Sequence, residues 1–336
     1  MNIMFLGTGS DVGKSVTVTA FCRILKNQGW RVVPFKAQNM SNNSFVTIEG
    51  GEIGRAQAAQ AEAAGVPPSF HMNPVLLKPN SEKGSQVVLQ GQVYGNMTAM
   101  EYYTFKPMIK DKIMASYRRL EEEYDVIVME GAGSAAEVNL RDHDVVNFDM
   151  ALSVKAPVIL IADIDRGGVF AQIIGSLEVI SPKEKKLVQG FIINRFRGDP
   201  ELFKNGIEYI EQRTGKPVFG LVPFFKGYKI NAEDSVSLDR IIEKREPESD
   251  RINIGVIRVP HVSNFTDLEV LDQEPEVTVA WLTDPETLRG YDVIVLPGTK
   301  STINDMKWLH DTGWTEIIKK YAEAGGWVVG VCGGFQ

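Results

Sequence analysis

The stretch Gly7-Thr-Gly-Ser-Asp-Val-Gly-Lys-Ser15 follows an apolar run and opens a helical pattern. Backbone N–H groups of Gly9, Ser10, Asp11, Val12, Gly13, Lys14 and Ser15, with the positive end of the helix behind them, can surround a polyphosphate such as that of ATP. In such a loop Lys14 meets the β/γ-phosphates and Ser15 offers its hydroxyl to Mg2+. The spacing G-x-x-x-x-G-K-S would place its first glycine at position 8, where this chain has Thr8 between two glycines.

Further polar groups sit at the ends of apolar runs, where the ligands of open α/β sheets gather. Tyr124-Asp-Val-Ile-Val-Met-Glu-Gly-Ala-Gly-Ser134 delivers Glu130, a candidate Mg2+ ligand, because magnesium prefers one or two carboxylates beside phosphate oxygens. Asp163, Asp165 and Arg166 end the next run, and Asn194, Arg195 and Arg197 the one after. The Asn194 amide is a candidate reader of the adenine ring, and the arginines can meet carboxylates or phosphates through paired hydrogen bonds.

Residues 36–57 break the rhythm with a polar, amide-rich and glycine-rich segment that ends on a helical pattern, as binding loops do. It supplies Lys36, Gln38, Asn39, Asn42, Arg55 and Gln57 as candidate substrate contacts, together with Asp163 and Arg166 from the strand ends. Glu49 is a further candidate metal ligand, and Glu52 is the other acid of the segment.

The last motif is Gly330-Val-Cys-Gly-Gly-Phe-Gln336. A cysteine at the end of a buried strand, flanked by small residues, is the elbow arrangement of a nucleophile, so Cys332 is the candidate nucleophile. Backbone N–H groups near Gly298 and Gly333 are candidates for an oxyanion hole. No histidine or acid follows Cys332 to complete a triad.

These residues need a parallel sheet to bring them together. Strands are expected at 3–6, 31–35, 125–130, 157–163, 188–194 and 217–222, with helices at 14–27, 53–64, 102–123 and 199–213. A charged, turn-rich stretch at 226–251 reads as a linker, after which strands at 252–257, 277–282, 292–296 and 327–331 begin a second α/β unit. The expected division is 1–225, linker 226–251, and 252–336.

Composition narrows the function classes. A chain of 336 residues with 43% hydrophobic content is about two ordinary globular domains. Its net charge of -7 argues against a general nucleic-acid binder. No apolar run approaches the roughly 18–20 residues of a membrane span, and residues 1–20 do not read as a secretory signal, so a cytoplasmic protein without a membrane partner is expected. Cys22 and Cys332 form no metal-ligand spacing, nor do His71, His143, His261 and His310. Cys22 falls within the first helix as a small buried apolar group. Nothing in the pattern fixes an oligomeric state.

Together, several motifs resemble the cobyric acid synthase family, glutamine-dependent amidotransferases of cobalamin biosynthesis. They are the Gly7 to Ser15 loop, Lys36-Ala-Gln-Asn-Met-Ser41, Gly50-Gly-Glu-Ile-Gly-Arg-Ala-Gln57, Asn73-Pro-Val-Leu-Leu-Lys-Pro79, Glu130-Gly-Ala-Gly-Ser134, Ala162-Asp-Ile-Asp-Arg-Gly-Gly-Val-Phe170, Ser263-Asn-Phe-Thr-Asp267 and Val331-Cys-Gly-Gly-Phe-Gln336. The resemblance accounts for Thr8, since the dethiobiotin-synthetase-like loops use this longer variant. It implies a P-loop, dethiobiotin-synthetase-like parallel-sheet domain, followed by the first part of an α/β glutaminase of the cysteine-triad class.

It further implies ATP and Mg2+ as cofactors, and a corrinoid, adenosylcobyrinic acid a,c-diamide, as the partner substrate. The carboxylates b, d, e and g would be amidated in turn through acyl phosphates. Nitrogen would come from free ammonia, or from glutamine through a thioester on Cys332 in the complete enzyme. Such enzymes continue well beyond position 336, so a shortened form is expected. Two other readings share the architecture: cobyrinic acid a,c-diamide synthase, and a P-loop ATPase switch of the chromosome-partitioning type. The latter carries a signature lysine five positions before the P-loop lysine, where this chain has Gly9.

Overall fold

Apolar runs that lack polar alternation need cover on both faces, and the first part of the chain supplies it with helices on either side of one sheet. The computed structural model describes residues 1–81, 84–225, 246–285 and 288–336. In chain order the elements are β1 (Asn2–Gly7), α1 (Lys14–Asn27), β2 (Val32–Phe35), β3 (Gln38–Met40), β4 (Ser44–Val46), β5 (Glu52–Gly54), α2 (Arg55–Ala64), β6 (Val75–Ser81), β7 (Gly84–Leu89), β8 (Gln92–Thr98), α3 (Ala99–Glu123) and β9 (Val126–Glu130). There follow α4 (Phe148–Ser153), β10 (Val158–Asp163), α5 (Val169–Val179), α6 (Pro182–Leu187), β11 (Val188–Phe196), α7 (Lys204–Thr214) and β12 (Val218–Pro223). The second unit comprises β13 (Ile252–Ile257), β14 (Val277–Leu282), β15 (Val293–Leu296), α8 (Thr302–Asp311), α9 (Trp314–Glu323) and β16 (Trp327–Gly330).

The main sheet has the order β12-β11-β10-β1-β9-β2 and is parallel throughout. Successive residues of β1 serve opposite faces: Met4 and Leu6 join one core with Tyr117, Met129 and Leu160, while Phe5 joins another with Val18, Val128 and Ile161. Since β9 and β10 flank β1, their carboxyl ends deliver Glu130 and Asp163 on either side of the P-loop.

The expected strand positions are met to within a residue or two in both sheets. Three differences stand out, the first two with local causes. Helix α3 begins at Ala99, because Thr98 and Glu101 form a capping box that adds a turn. A short 3-10 turn over Pro200–Phe203 precedes α7, with the Asp199 side chain accepting from the Glu201 N–H. A sheet of order β3-β6-β7-β8 and a β4-β5 hairpin occupy the interval in which only a binding loop and a helix were expected.

In the second unit the order is β14-β13-β15-β16, again parallel. Most of the expected linker, residues 226–245, lies outside the described residues. Among the described residues, hydrogen bonds involving side chains tie the units together. The Ser44 N–H donates to Asn264 Oδ1 (3.0 Å), Thr266 Oγ1 to Asn43 Oδ1 (3.3 Å) and Lys300 Nζ to Gln86 Oε1 (2.6 Å).

Candidate functional site

The P-loop is set by backbone geometry. Gly13 holds φ 96 at the N-cap of α1, in the left-handed region, and a Cβ there would collide with the Asn194 amide. That amide Nδ2 donates to Val12 O at 2.8 Å, so Asn194 braces the loop from the end of β11. The amide expected to read an adenine ring thus has its nitrogen committed to the loop. It still lines a cavity of about 210 Å³ with Val16, Arg195, Pro223, Phe224 and Phe225.

Lys14 turns its ammonium to Gly133 O at 2.7 Å and Gly9 O at 3.4 Å. Ser15 Oγ donates to Glu130 Oε1 at 2.8 Å, so the hydroxyl and the carboxylate expected to share a cation are in contact. The same oxygen accepts from Lys36 Nζ at 3.1 Å, and Glu130 Oε2 accepts from Gln60 Nε2 at 2.5 Å. Lys36 is therefore not a cavity residue but the charge partner of Glu130, with both side chains sealed from solvent. Burial pushes the neighbouring Cys22 thiol up to about 12, and the negative charge of Glu130 adds to the rise.

The flank of the loop is a charge network. Arg195 pairs with Asp163 at 2.7 Å and Arg166 with Asp11 at 2.8 Å, while Arg197 pairs with Asp165 at 2.6 Å and lies over the Phe224 ring. Asp163 is buried and also accepts from the Asp165 N–H. Asp163 and Arg166, expected to touch substrate, instead brace the P-loop through Asp11, because Arg195 and Arg166 draw all four charges together.

A larger cavity of about 660 Å³ lies beside this site. Its walls include Gln38, Leu77, Val87, Tyr102, Tyr103 and His143, and the turn Ala132-Gly-Ser134 that follows Glu130. Gly133 thus contributes both to the cavity wall and, through its carbonyl, to the seat of Lys14. Gln38 is the one expected substrate contact that lines it; its Oε1 accepts from Tyr102 Oη at 2.5 Å.

The others are elsewhere. Asn39 and Gln57 bond to each other at 3.0 Å in the interior. Asn42 has a buried Oδ1 without a partner among the described residues, and Arg55 lies over the Phe45 ring. Glu49 is not brought to the P-loop: it accepts from Ser69 Oγ and the Phe70 N–H, holding the turn over Phe70–Met72. Glu52 pairs with Lys78 and accepts from Ser44 Oγ. Burial alone would raise the Glu52 carboxyl, yet the hydrogen bond and charge of Lys78, with Ser44, carry it below the usual range.

Two groups of residues were missed from sequence. Gln60 is hidden in an alanine-rich helix, although its i,i+3 spacing from Gln57 puts both on one face. The cavity wall from β6 and β7 left a signal in the apolar run Val87-Val-Leu89, bounded by the turn at Gln90-Gly91.

In the second unit Cys332 is exposed and holds φ 49, a conformation rare for a residue with a Cβ and fitting for an elbow that presents a thiol. Gly298 and Gly333 lie against it: a Cβ on Gly298 would stand 3.9 Å from Cys332 Cβ, and one on Gly333 would meet Thr299 Cγ2 at 2.7 Å. The strand leading to it is not buried as expected. β16 is the edge of its sheet, and Trp327 is 74% exposed. A further acid-base pair, His261 Nδ1 with Asp305 Oδ1 at 2.6 Å, sits nearby, and Lys300 N–H donates to His261 O.

Fold and loop together define a P-loop nucleotide-binding α/β protein with an appended α/β unit carrying a cysteine elbow. The chain belongs to the family of CobQ/CobB/MinD/ParA nucleotide binding domains, whose match spans residues 3–237. Residues 253–336 match the CobB/CobQ-like glutamine amidotransferase domain. The chain is 51% identical over 336 residues to the cobyric acid synthase of Syntrophobacter fumaroxidans, covering 99% of this chain and 65% of that protein. It is likewise 51% identical to that of Chlorobaculum tepidum, covering 100% and 67%. The chain thus spans about two thirds of the length of the curated relatives it matches. Among solved structures, the signal recognition particle receptor FtsY from Elizabethkingia anophelis aligns with 68% of this chain and 62% of its own, at 16% identity and a TM-score of 0.41, a likeness too remote to bear on the site. No helix among the described residues is long and apolar enough to cross a membrane.

Proposed function

We propose that this chain carries the ATP-dependent ligase part of a glutamine-hydrolysing cobyric acid synthase, divided as 1–225, linker 226–251 and 252–336. It would amidate the b, d, e and g carboxylates of adenosylcobyrinic acid a,c-diamide. The observation that carries this reading is the shared turn at Gly133. The residue that seats Lys14 also walls a cavity of about 660 Å³, which supports a large substrate lying beside the phosphate loop.

A carboxylate is a poor acyl donor. Its oxygen attacks the γ-phosphorus of ATP, ADP leaves, and ammonia then adds to the acyl phosphate carbonyl and expels phosphate with the original carboxylate oxygen. Lys14 and the N–H groups of the loop stabilise the charge that develops in the first step. The Ser15 hydroxyl and the Glu130 carboxylate, 2.8 Å apart, are the hard oxygen donors that suit Mg2+ and would hold it. When bound, Mg2+ neutralises phosphate charge. Asn194 and the Phe224 and Phe225 rings would seat the base, and Lys36 holds Glu130 in place by pairing with it.

Cys332, with N–H groups near Gly298 and Gly333, would release ammonia from glutamine through a thioester in the whole enzyme. The cytoplasm, which holds ATP and glutamine, is the expected compartment. Incubation of the chain with the a,c-diamide, ATP and ammonia, followed by mass spectrometry, tests the reading. Successive replacement of carboxylates by amides is expected, and an unchanged corrinoid in the presence of folded, nucleotide-binding protein would contradict it.

A further inference from the structure

Two buried glutamines share one face of α2, and the ligase reading uses neither as a ligand of the phosphate site. Gln57 and Gln60 are both 0% exposed. Gln60 Nε2 donates to Glu130 Oε2 at 2.5 Å. Its Oε1, buried as well, meets no donor among the described residues. Leaving a buried acceptor without a donor is costly, so its place beside the phosphate site calls for a partner that arrives with the ligand.

The other bonds to Glu130 say which partner. Oε1 already accepts from Ser15 Oγ at 2.8 Å and Lys36 Nζ at 3.1 Å. The carboxylate is thus held by donors from α1, α2 and the segment after β2. Magnesium keeps several waters when it binds to one or two carboxylates, and each water carries hydrogens that need acceptors. Groups that orient metal ligands from behind matter about as much as the ligands.

We propose that Gln60 is a positioning residue of the divalent-cation site formed by Ser15 and Glu130: its Nε2 fixes the Glu130 carboxylate, and its Oε1 accepts from a water of the cation's hydration shell. The inference rests on the nucleotide reading of the P-loop and adds to it a residue on a different helix.

The experiment uses ADP, so that no turnover is needed. Binding of ADP to the full chain is measured by calorimetry in EDTA and across an Mg2+ titration, and Mn2+ held in the ADP complex is followed by electron paramagnetic resonance. Gln60→Leu and Gln60→Met are compared with the parent, the methionine matching the glutamine in length. Both variants are expected to bind metal-free ADP as the parent does, while the Mg2+ midpoint rises about 10- to 100-fold and bound Mn2+ falls in step. A parent-like Mg2+ midpoint would overturn the proposal. So would an equal loss of metal-free and metal-bound affinity, which would make the amide a packing element, and so would failure of both variants to fold. If the parent itself bound no ADP, the nucleotide reading would fall first, and that result is distinct from the others.

Discussion

Lys36 Nζ and Glu130 Oε1 stand 3.1 Å apart in an ion pair whose side chains are 2% and 0% exposed. Breaking one half of such a pair leaves a buried charge without its counter-ion, at a cost of about 3–5 kcal/mol, whereas replacing both halves can be nearly neutral. Glu130→Gln and Lys36→Met are each expected to lower stability by that order, and the double variant to recover most of it. Urea unfolding of the four proteins checks the cycle. Additive losses would show that the two side chains do not depend on each other.

Asn194 holds the P-loop through a single bond to Val12 O of 2.8 Å. Asn194→Ala removes that brace at the edge of the proposed base pocket. A loss of about 1 kcal/mol, roughly fivefold in ATP affinity, is expected by calorimetry with little change in melting temperature. Parent-like affinity would mean that the loop holds its shape unaided.

The main sheet and the phosphate loop were legible because their signals are local: apolar runs of strand length, a glycine-rich turn, and polar residues at run ends. Helix α1 and the strands β13 and β14 fall at their expected positions for the same reason. What the sequence hid is pairing across distance. Lys36 reads as a loop cation until β2 and β9 lie side by side and carry its ammonium onto Glu130. Asp163 and Arg166 read as substrate contacts until Asp11 and Arg195 close a network with them. Glu49 is adjacent to a binding motif in the chain, yet its hydrogen bonds go to Ser69 and Phe70. The β6-β7-β8 meander was overlooked because its short apolar runs are mixed with Gly, Pro, Asn and Ser, which resembles loop sequence when the pairing is unknown.

The two cysteines differ enough to be separated chemically. Cys22 is buried with its thiol pushed up to about 12, first by burial and then by Glu130, whereas Cys332 is exposed on its elbow. Iodoacetamide at neutral pH is expected to label Cys332 alone in the native protein, and Cys22 only after denaturation. Peptide mapping by mass spectrometry reads this directly, and native labelling of Cys22 would contradict the packing of α1.

Glu52 gives the fold a pH dependence. Burial opposes ionisation, but the Lys78 bond and charge, with Ser44, hold the folded carboxyl below its ordinary range. Its contribution is therefore fully present above the unfolded carboxylate pKa and is lost as pH falls through the folded one. Glu52→Gln is expected to melt below the parent at pH 7, with the gap narrowing below about pH 4 to 5. A gap that stays constant down to pH 3 would remove the charge from the account.

The central claim is that a substrate carboxylate is activated by phosphoryl transfer at Lys14, and oxygen labelling tests it most directly. The a,c-diamide carrying ¹⁸O in its free carboxylates is incubated with the chain, ATP, Mg2+ and ammonia, and the released phosphate is analysed by mass spectrometry. One ¹⁸O atom in each phosphate released with an amide is expected, and none in the Lys14→Ala protein, which should form no product. Amide formed with unlabelled phosphate would contradict the acyl phosphate route.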